Sequence, residues 1–285
     1  MTTLTQVAYL GPIYSYSYLA SLEHFGEATE FIPVNTIAAV FDAMQSGQAN
    51  FGVVPLENST DGRIVDTLNI LARADIEISA EINYAIHHNL IANCELRDIR
   101  EVHSKPQALS QCRNWIDKNL PAVSVCGAAS SAEAAEMISA ADAVGNNTGA
   151  AAIASSAAAA HFGVAVIARS IQDNANNITR FAVLGSVPHP PTGDDKTLIL
   201  LELDHCPGAL ADVMSVFKNE GINLTWIESF PCPGAPNEYV FFIEFVGHQQ
   251  DEPARRAIGC LKQETRAVRV LGTYPRAAVT GIPTT

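Results

Sequence analysis

The sequence predicts an α/β protein of two domains: a two-lobed domain followed by a smaller ferredoxin-like α+β domain. First, 285 residues exceed the usual size of one domain. Second, short apolar runs alternate with helical patterns up to residue 185, which is typical of parallel strands joined by crossover helices. Third, the order after residue 195 becomes strand, helix, two strands, helix and strand, the split βαβ order of a ferredoxin-like sandwich.

The first domain divides into two series of elements. The first series is predicted to contain strands over 7–10, 31–34 and 51–56 and helices over 17–25, 37–45 and 64–71. The second is predicted to contain strands over 76–86, 88–93, 101–104 and 122–127, a helix over 106–119, two alanine-rich helices and closing strands over 164–168 and 179–185. The most apolar stretch, residues 150–160, is interpreted as helix alone. Two such lobes favour a cleft between them, where small ligands usually bind.

Residues 186–195 contain three prolines, a glycine and two acidic residues without periodicity, and are predicted to be a linker. Asp194 and Asp195 are interpreted as solvated charges there. The predicted division is a first domain over 1–185, this linker, a second domain over 196–276 and a tail over 277–285. The second domain is predicted to contain strands over 197–203, 224–229, 238–247 and 268–275 and helices over 209–219 and 252–264.

The charge balance excludes several classes of partner. Thirty acidic against seventeen basic residues give a net charge of −13, which repels nucleic-acid backbones and anionic membranes. The first twenty residues lack the features of a secretion signal, and no stretch is long and apolar enough to span a membrane, so a cytoplasmic protein is expected. The six cysteines form no close pair, and no phosphate-binding loop is present. We therefore expect no metal and no cofactor.

Three polar segments follow predicted strands and are candidates for a binding site. The first is the Glu-Asn-Ser turn at Glu57, Asn58 and Ser59, with Thr60 after it. Each segment also has a plain interpretation as helix capping or a turn. The second runs from Ser104 into a predicted helix that carries Gln111, and the third contains Thr179 and Arg180 at the start of a buried strand. A hydroxyl beside a guanidinium there favours an acidic substrate.

Together these segments resemble prephenate dehydratase. Thr179, Arg180 and Phe181 match the family's most specific motif, and the Glu-Asn-Ser turn and the segment Ser-x-Pro-Gln-x-Leu-x-Gln-Cys from Ser104 match two others, so that the resemblance covers residues 7–276. It implies a periplasmic-binding-protein-like catalytic domain that converts prephenate to phenylpyruvate, carbon dioxide and water. The implied catalytic residues are Thr179, Ser104, Gln111 and Asn58, and the implied substrate-binding residues are Glu57, Ser59, Thr60, Ser15, Ser17, Arg180 and Phe181. At Tyr14 the family usually has glycine, so the ring is expected either to narrow the cleft or to turn outward.

The segments after the linker resemble an ACT regulatory domain with a phenylalanine-binding signature. The resemblance implies that L-phenylalanine is an effector, bound by Gly208, Ala209, Leu210, Glu228 and Ser229. Phe230 stands where the family has arginine, which leaves the response to phenylalanine open. The apolar strand over 238–247 is expected at an open sheet edge, where pairing with another subunit would cover it, so a homodimer or homotetramer is expected.

Alternatives remain at this point. The same motifs fit arogenate dehydratase, which performs the same chemistry on the aminated substrate. A non-catalytic amino-acid sensor and a scaffold assembled by the ACT domain belong to other functional classes. Because no helical chorismate mutase segment precedes the first strand, a monofunctional enzyme is expected.

Overall fold

The computed structural model describes residues 4–143, 149–231 and 239–282, and it forms two compact units. Unit 1 contains Met1–Ile64, Ile82–Phe181 and Val279–Thr285, and unit 2 contains Val65–Glu81 and Ala182–Ala278. Unit 2 thus includes residues 65–81, which the sequence assigns to the first domain. The domain boundaries at residues 185 and 196 stay a prediction. Within the described ranges, no helix is both long enough and apolar enough to cross a membrane.

The fold is α/β, as predicted, and its first sheet has the strand order β16-β5-β11-β3-β1-β2, with β4 paired to β3. Its strands are β1 (Gln6–Leu10), β2 (Glu30–Val34), β3 (Phe51–Asn58), β4 (Gly62–Arg63), β5 (Ile78–Ala85), β11 (Ile178–Leu184) and β16 (Val279–Thr280). The pairings of β1 with β2 and β3 are parallel, as the alternation of strands and helices predicts. Strand β16 lies in the predicted tail and pairs with Asn83 and Tyr84 of β5, which the sequence does not indicate.

Three helices alternate with these strands at the predicted places: α1 (Tyr16–Phe25), α2 (Ile37–Gln45) and α3 (Val65–Leu71). Helix α1 begins after Ser15, whose hydroxyl accepts from the Tyr18 amide, and α2 begins after Thr36, whose hydroxyl accepts from the Ala39 amide. Such caps satisfy amides that have no partner inside the helix.

The second sheet has the order β10-β6-β9-β7-β8. Its strands are β6 (Asn89–Ile91), β7 (Glu101–Ser104), β8 (Ser124–Gly127), β9 (Ala150–Ala154) and β10 (Val166–Ala168). The helical interpretation of residues 150–160 is wrong for its first half, because Ala150–Ala154 pairs with both β6 and β7. Burial between two strands overrides the helix propensity of alanine. Helix α7 (Ser156–Phe162) begins only after the Ser155 cap, and α6 (Ser131–Ala143) precedes the strand.

The predicted helix over 106–119 is two helices, α4 (Pro106–Gln111) and α5 (Arg113–Asn119). The chain leaves helical geometry at Cys112, with φ of −113° and ψ of 11°. The Cys112 side chain is fully buried in an apolar core cluster. The one-turn 3-10 helix η1 (Leu96–Asp98) precedes β7.

The third sheet lies in unit 2 and has the order β13-β14-β12-β15, with antiparallel pairings. Its elements are β12 (Asp195–Glu202), α8 (Ala209–Asn219), β13 (Leu224–Pro231), β14 (Tyr239–Val246), α9 (Glu252–Glu264) and β15 (Ala267–Pro275). The expected edge position of the apolar strand is wrong, because β14 is central, between β13 and β12. Its hydrophobicity is explained by burial within the sheet, and it no longer argues for pairing with another subunit.

The interpretation of Asp195 as a solvated linker charge is wrong. It is the first residue of β12 and only 2% exposed. Its carboxylate accepts hydrogen bonds from the Thr192 amide at 2.7 Å, the Thr192 hydroxyl at 2.8 Å and the Gly193 amide at 3.2 Å. A buried carboxylate is tolerated when donors surround it in this way. Asp194 is exposed and pairs with Arg276.

Candidate active site

Five side chains of unit 1 form a connected set of hydrogen bonds, which we call the amide network: Asn58, His88, Gln111, Asn177 and Thr179. They come from the end of β3, the segment before β6, the end of α4 and the start of β11. Asn58, His88, Asn177 and Thr179 are each less than a tenth exposed. Three of the predicted catalytic residues, Asn58, Gln111 and Thr179, are thus brought together.

The turn after β3 fixes the orientation of the Asn58 amide. Asn58 Oδ1 accepts from the backbone N–H groups of Thr60 at 2.9 Å and Asp61 at 3.1 Å. A backbone N–H can only donate, so the atom facing it must be the amide oxygen. The Asn58 nitrogen therefore points the other way, and it donates to Asn177 Oδ1 and to Thr179 Oγ1, both at 2.9 Å.

This orientation determines the role of the Thr179 hydroxyl. Thr179 Oγ1 accepts from Asn58, and among the described residues its own proton has no protein acceptor. A hydroxyl has one proton and two lone pairs, so this proton remains available to a ligand. The arrangement can therefore offer a hydrogen-bond donor, held by an amide, at the start of a buried strand.

The network continues through Gln111. Asn177 Nδ2 donates to Gln111 Oε1 at 2.8 Å, and Gln111 Nε2 donates to the Asp61 carboxylate at 2.9 Å. His88 Nε2 lies 2.9 Å from the same Gln111 oxygen. On its other side, His88 Nδ1 is 3.2 Å from the Tyr16 hydroxyl, which also donates to the His87 carbonyl at 2.8 Å.

Burial shifts the ionisation of several groups around the network. Burial lowers the pKa of His88, an effect that the Gln111 hydrogen bond opposes and His87 reinforces. Burial also raises the pKa of Tyr16 well above its usual value. The pKa of Cys112, next to Gln111, is raised by burial to about 12. Burial thus favours the uncharged forms of His88, Tyr16 and Cys112 at neutral pH, and Cys112 is a protonated thiol rather than a nucleophile.

The other predicted residues of the first segment hold the turn in place. The Ser59 hydroxyl donates to the Asn176 carbonyl and accepts from the Ile178 amide, both at 2.9 Å. Thr60 accepts from the Asn174 amide at 3.3 Å. Glu57 pairs with Arg63 across the β3-β4 turn. The first and third polar segments are therefore joined directly.

Ser104 is fully buried on β7, and its hydroxyl donates to the Ile153 carbonyl at 2.7 Å and lies 3.1 Å from the Ser131 hydroxyl. None of the hydrogen bonds given above for the amide network involves it. These contacts join β7 to β9 and to the start of α6. Its predicted catalytic role stays a prediction.

Ser15 and Ser17 lie at the start of α1. The Ser15 hydroxyl caps the helix and donates to the Leu10 carbonyl at 3.0 Å, and Ser17 is buried inside the first turns. Tyr14 has a φ of 62°, the left-handed region that favours glycine, which is the residue the resemblance expects there. Its ring is half-buried and stacks on His161 of α7, with ring centroids 4.1 Å apart.

Arg180 and Phe181 follow Thr179 on β11, and both are buried. Successive strand residues point to opposite faces of a sheet, so Arg180 and Thr179 do not share a face. This geometry does not support the prediction that the two side chains act together on one group of the substrate. The substrate-binding roles of Arg180 and Phe181 stay predictions.

The predicted effector residues lie in unit 2. Gly208 precedes α8 with a φ of 93°, which a residue with a side chain adopts only at a cost, and Ala209 and Leu210 form the first turn. Glu228 and Ser229 lie on β13, which is an edge strand of the third sheet in the described residues. Phe230 contacts the ring of Phe242 edge to face, with centroids 5.9 Å apart.

Two further features lie outside the amide network. Glu101, His103 and Cys126 bring ligand atoms within 4.8 Å of one another, a set whose chemistry suits a divalent metal. His103 already pairs with the exposed Glu101 at 3.2 Å, and the absence of a metal stays a prediction. A surface depression of about 610 Å³ between η1 and the end of α5 contains no residue of the network.

Sequence reasoning misses four residues of the site. In the sequence, His87 and His88 are adjacent on a predicted strand and so cannot both bind one metal, and Tyr16 gives no signal. A turn explains Asn177, and helix capping explains Asp61. Their role depends on contacts between distant segments, for which a single sequence carries no signal.

Comparison with known proteins identifies the family. A family model described as prephenate dehydratase matches residues 7–189. The chain is 40% identical over 273 residues to a bifunctional chorismate mutase/prephenate dehydratase of Aquifex aeolicus (strain VF5), covering 95% of this chain and 74% of that protein. It is 33% identical over 287 residues to a prephenate dehydratase of Mycobacterium marinum, covering 95% and 89%. The crystal structure of prephenate dehydratase from Arthrobacter aurescens in complex with L-Phe superposes with a TM-score of 0.87 at 30% identity, covering 99% and 92%. The chain therefore belongs to the prephenate dehydratase family.

Proposed function

We infer that the chain catalyses the decarboxylating dehydration of prephenate, and that Thr179 donates a hydrogen bond to the departing hydroxyl group. In this reaction the bond between the ring and its carboxylate breaks and releases carbon dioxide. The electron pair enters the ring, which becomes aromatic as the carbon-oxygen bond opposite breaks. The leaving oxygen takes up one proton and departs as water, and the product is phenylpyruvate.

The observation that carries this proposal is the direction of the bond from Asn58 to Thr179. Because Asn58 Nδ2 donates to Thr179 Oγ1 at 2.9 Å, the threonine proton is left to point at a ligand. A donor aimed at an oxygen on which negative charge develops stabilises the transition state, most strongly where water is excluded. Threonine is a poor acid, so its role is hydrogen bonding rather than full proton transfer.

Aromatisation supplies the driving force of the reaction, and no electron sink is required. For this reason we propose that no cofactor takes part. Asn58 then acts through Thr179 by holding its oxygen, and Gln111 acts one step further away by holding Asn177, which accepts from Asn58. Ser104, Glu57, Ser59, Thr60, Ser15 and Ser17 shape or support the cleft. Prephenate carries two carboxylates, for which Arg180, Arg63 and Lys105 are the candidate partners. Arg63 is already paired with Glu57, whereas Lys105 is exposed at the start of α4.

We further propose that residues 196–276 form an ACT regulatory domain of ferredoxin-like topology and that the first domain is two-lobed and periplasmic-binding-protein-like. The sheet order β13-β14-β12-β15, with α8 and α9 in the connections, supports the former. The Arthrobacter relative was crystallised with L-Phe, which supports phenylalanine as the effector of this chain. Assembly into a homodimer or homotetramer and a cytoplasmic location remain part of the proposal.

One experiment tests the proposed reaction against its alternatives. The purified protein is incubated separately with prephenate and with arogenate, and carbon dioxide, phenylpyruvate and phenylalanine are measured. We expect carbon dioxide and phenylpyruvate from prephenate. Faster formation of phenylalanine from arogenate would instead identify an arogenate dehydratase. Turnover of neither substrate would contradict the proposal and favour the amino-acid sensor.

A further inference from the structure

His88 is a buried imidazole, 3% exposed, that is absent from the predicted set of site residues. Both of its ring nitrogens have partners, Gln111 Oε1 at 2.9 Å and the Tyr16 hydroxyl at 3.2 Å. We infer that His88 is a positioning residue for the dehydration, fixed as the Nε2–H tautomer, which holds the Gln111 amide and through it the donors around Thr179. This inference rests on the proposed function.

The tautomer follows from the direction of the amide network. The two backbone amides fix Asn58 Oδ1, so Asn58 Nδ2 donates to Asn177 Oδ1. Asn177 must then present its nitrogen to Gln111, and Gln111 must present its oxygen. An amide oxygen can only accept, so the His88 nitrogen facing it must carry the proton. The backbone amides of Thr60 and Asp61 thus fix, through the side-chain amides of the network, the proton on Nε2 of His88.

The opposite nitrogen is compatible with this assignment. In a neutral imidazole that is protonated at Nε2, Nδ1 is an acceptor, and the Tyr16 hydroxyl lies within reach to donate to it. Tyr16 can donate its single proton either to Nδ1 or to the His87 carbonyl at 2.8 Å. Because Tyr16 both donates and accepts, it does not dictate the tautomer. The tautomer is set instead by Gln111 Oε1, which can only accept a hydrogen bond.

The role is positioning and not proton transfer. Between His88 and Thr179 stand only the side-chain amides of Gln111, Asn177 and Asn58, which hold a direction but do not relay protons as hydroxyls and imidazoles do. His88 also links two helices of unit 1, because Tyr16 begins α1 and Gln111 ends α4. Removing its Nε2–H would take one of the two donors from Gln111 Oε1, so the Gln111 amide would be held only by Asn177 and Asp61, and less firmly.

The kinetic test compares His88→Leu with His88→Gln. The leucine variant lacks the donor, and we expect kcat for prephenate to fall about tenfold or more, with a smaller change in KM. Glutamine can place an amide N–H near the position of Nε2, so it should recover most of the lost kcat. The matched control is His87→Gln, at the neighbouring residue, which should leave kcat near the wild-type value. Wild-type kcat in His88→Leu, or no recovery in a folded His88→Gln, would overturn the inference.

A spectroscopic test does not depend on turnover. Long-range proton-nitrogen NMR of ¹⁵N-histidine-labelled protein reports which ring nitrogen carries the proton. We expect the neutral ring of His88 to be protonated at Nε2 in the wild type and also in Tyr16→Phe, because the direction is imposed from Gln111. An Nδ1–H ring, or a mixture of the two tautomers, would overturn the inference. An inactive wild type with an Nε2–H ring would instead contradict the proposed function and leave the tautomer assignment standing.

Discussion

Two backbone N–H groups, those of Thr60 and Asp61, set the direction of the hydrogen bonds that reach Thr179. They make Asn58 an acceptor on one side and a double donor on the other. Asparagine is needed because only an amide combines these two roles in one short side chain. An aspartate at this position would fit the same space with opposite hydrogen bonding towards Thr179.

We predict that Asn58→Asp lowers kcat about 10²-fold with little change in KM. The introduced carboxylate would still accept from the two backbone amides, but its second oxygen would also accept. The Thr179 proton would then turn towards the carboxylate and away from the substrate. Steady-state kinetics with prephenate measure the effect. Asn176→Asp introduces the same charge at an exposed position of the neighbouring loop and should keep near-normal kcat; equal losses in the two variants would show a general effect of charge.

A second prediction at this scale concerns pH. Burial lowers the pKa of His24, His87 and His88, so below the unfolded pKa of about 6.5 the unfolded chain binds more protons than the folded chain. The contribution of these buried neutral histidines to the free energy of unfolding is therefore fully present above that pH. It is lost as pH falls from there through the folded pKa values.

Urea unfolding at a series of pH values checks this prediction. The free energy of unfolding should fall as pH is lowered below about 6.5. The slope should be smaller in His88→Gln, which cannot take up the proton, than in the wild type. His205→Gln, at an exposed position, is the matched control. An unchanged slope in His88→Gln would show that its burial does not contribute to acid destabilisation.

At the scale of elements, periodic patterns predict most helices and strands, and the errors share a cause. Ala150–Ala154 has the composition of a helix but lies between β6 and β7, and β14 is apolar because it is central in its sheet. Asp195 lies in a segment with the composition of a linker, but its carboxylate is buried and accepts hydrogen bonds from Thr192. In each case the environment, which sequence pattern does not contain, determines the outcome.

Within unit 2, Arg269 of β15 caps the C-terminal end of α3. Its guanidinium donates to the Leu71 carbonyl and, at 2.9 Å, to the Ala74 carbonyl. A cation there also complements the helix dipole. We predict that Arg269→Met lowers the free energy of unfolding by about 1–3 kcal/mol, because the methionine keeps apolar contacts but leaves both carbonyls without this donor.

Chemical denaturation measures the loss. Arg255→Met, on the exposed side of α9, is the control and should change stability by less than about 0.5 kcal/mol. If Arg269→Met were as stable as wild type, the cap would not contribute to the packing of residues 65–81 with the C-terminal sheet.

At the scale of the whole molecule, the sequence predicts the α/β class and brings Asn58, Gln111 and Thr179 into one proposed site. It could not predict that His88 and Tyr16 join them, because these contacts connect separate segments, 23 residues apart for His88 and Gln111 and 72 residues apart for Tyr16 and His88. The sequence pattern is also misleading about assembly, because the apolar strand that is expected to pair with another subunit, β14, is not an edge strand. The net charge of −13 means that an anionic substrate or effector depends on a few placed donors rather than on the average field.

Regulation is tested by titrating the protein with L-phenylalanine in a calorimeter while turnover is assayed. We expect binding at millimolar ligand or below, and a change in turnover, since an effector with different affinities for two states shifts their populations. Gly208→Ala should weaken binding, because φ of 93° strains any residue with a Cβ. Gly221→Ala imposes similar strain at the other end of α8, where φ is 68°, and should bind normally. Absence of binding to the wild type would show that the domain does not sense phenylalanine.

The most direct test of the central claim is the turnover of prephenate by Thr179→Val and Thr179→Ser. Valine keeps the shape of threonine without its hydroxyl, and serine keeps the hydroxyl. If Thr179 donates to the leaving oxygen, kcat falls about 10²-fold or more in the valine variant, with the fold intact by circular dichroism, and serine recovers much of it. A Thr179→Val enzyme with near wild-type kcat would contradict the account, because the hydrogen bonds that orient Thr179 would then serve no step of the reaction.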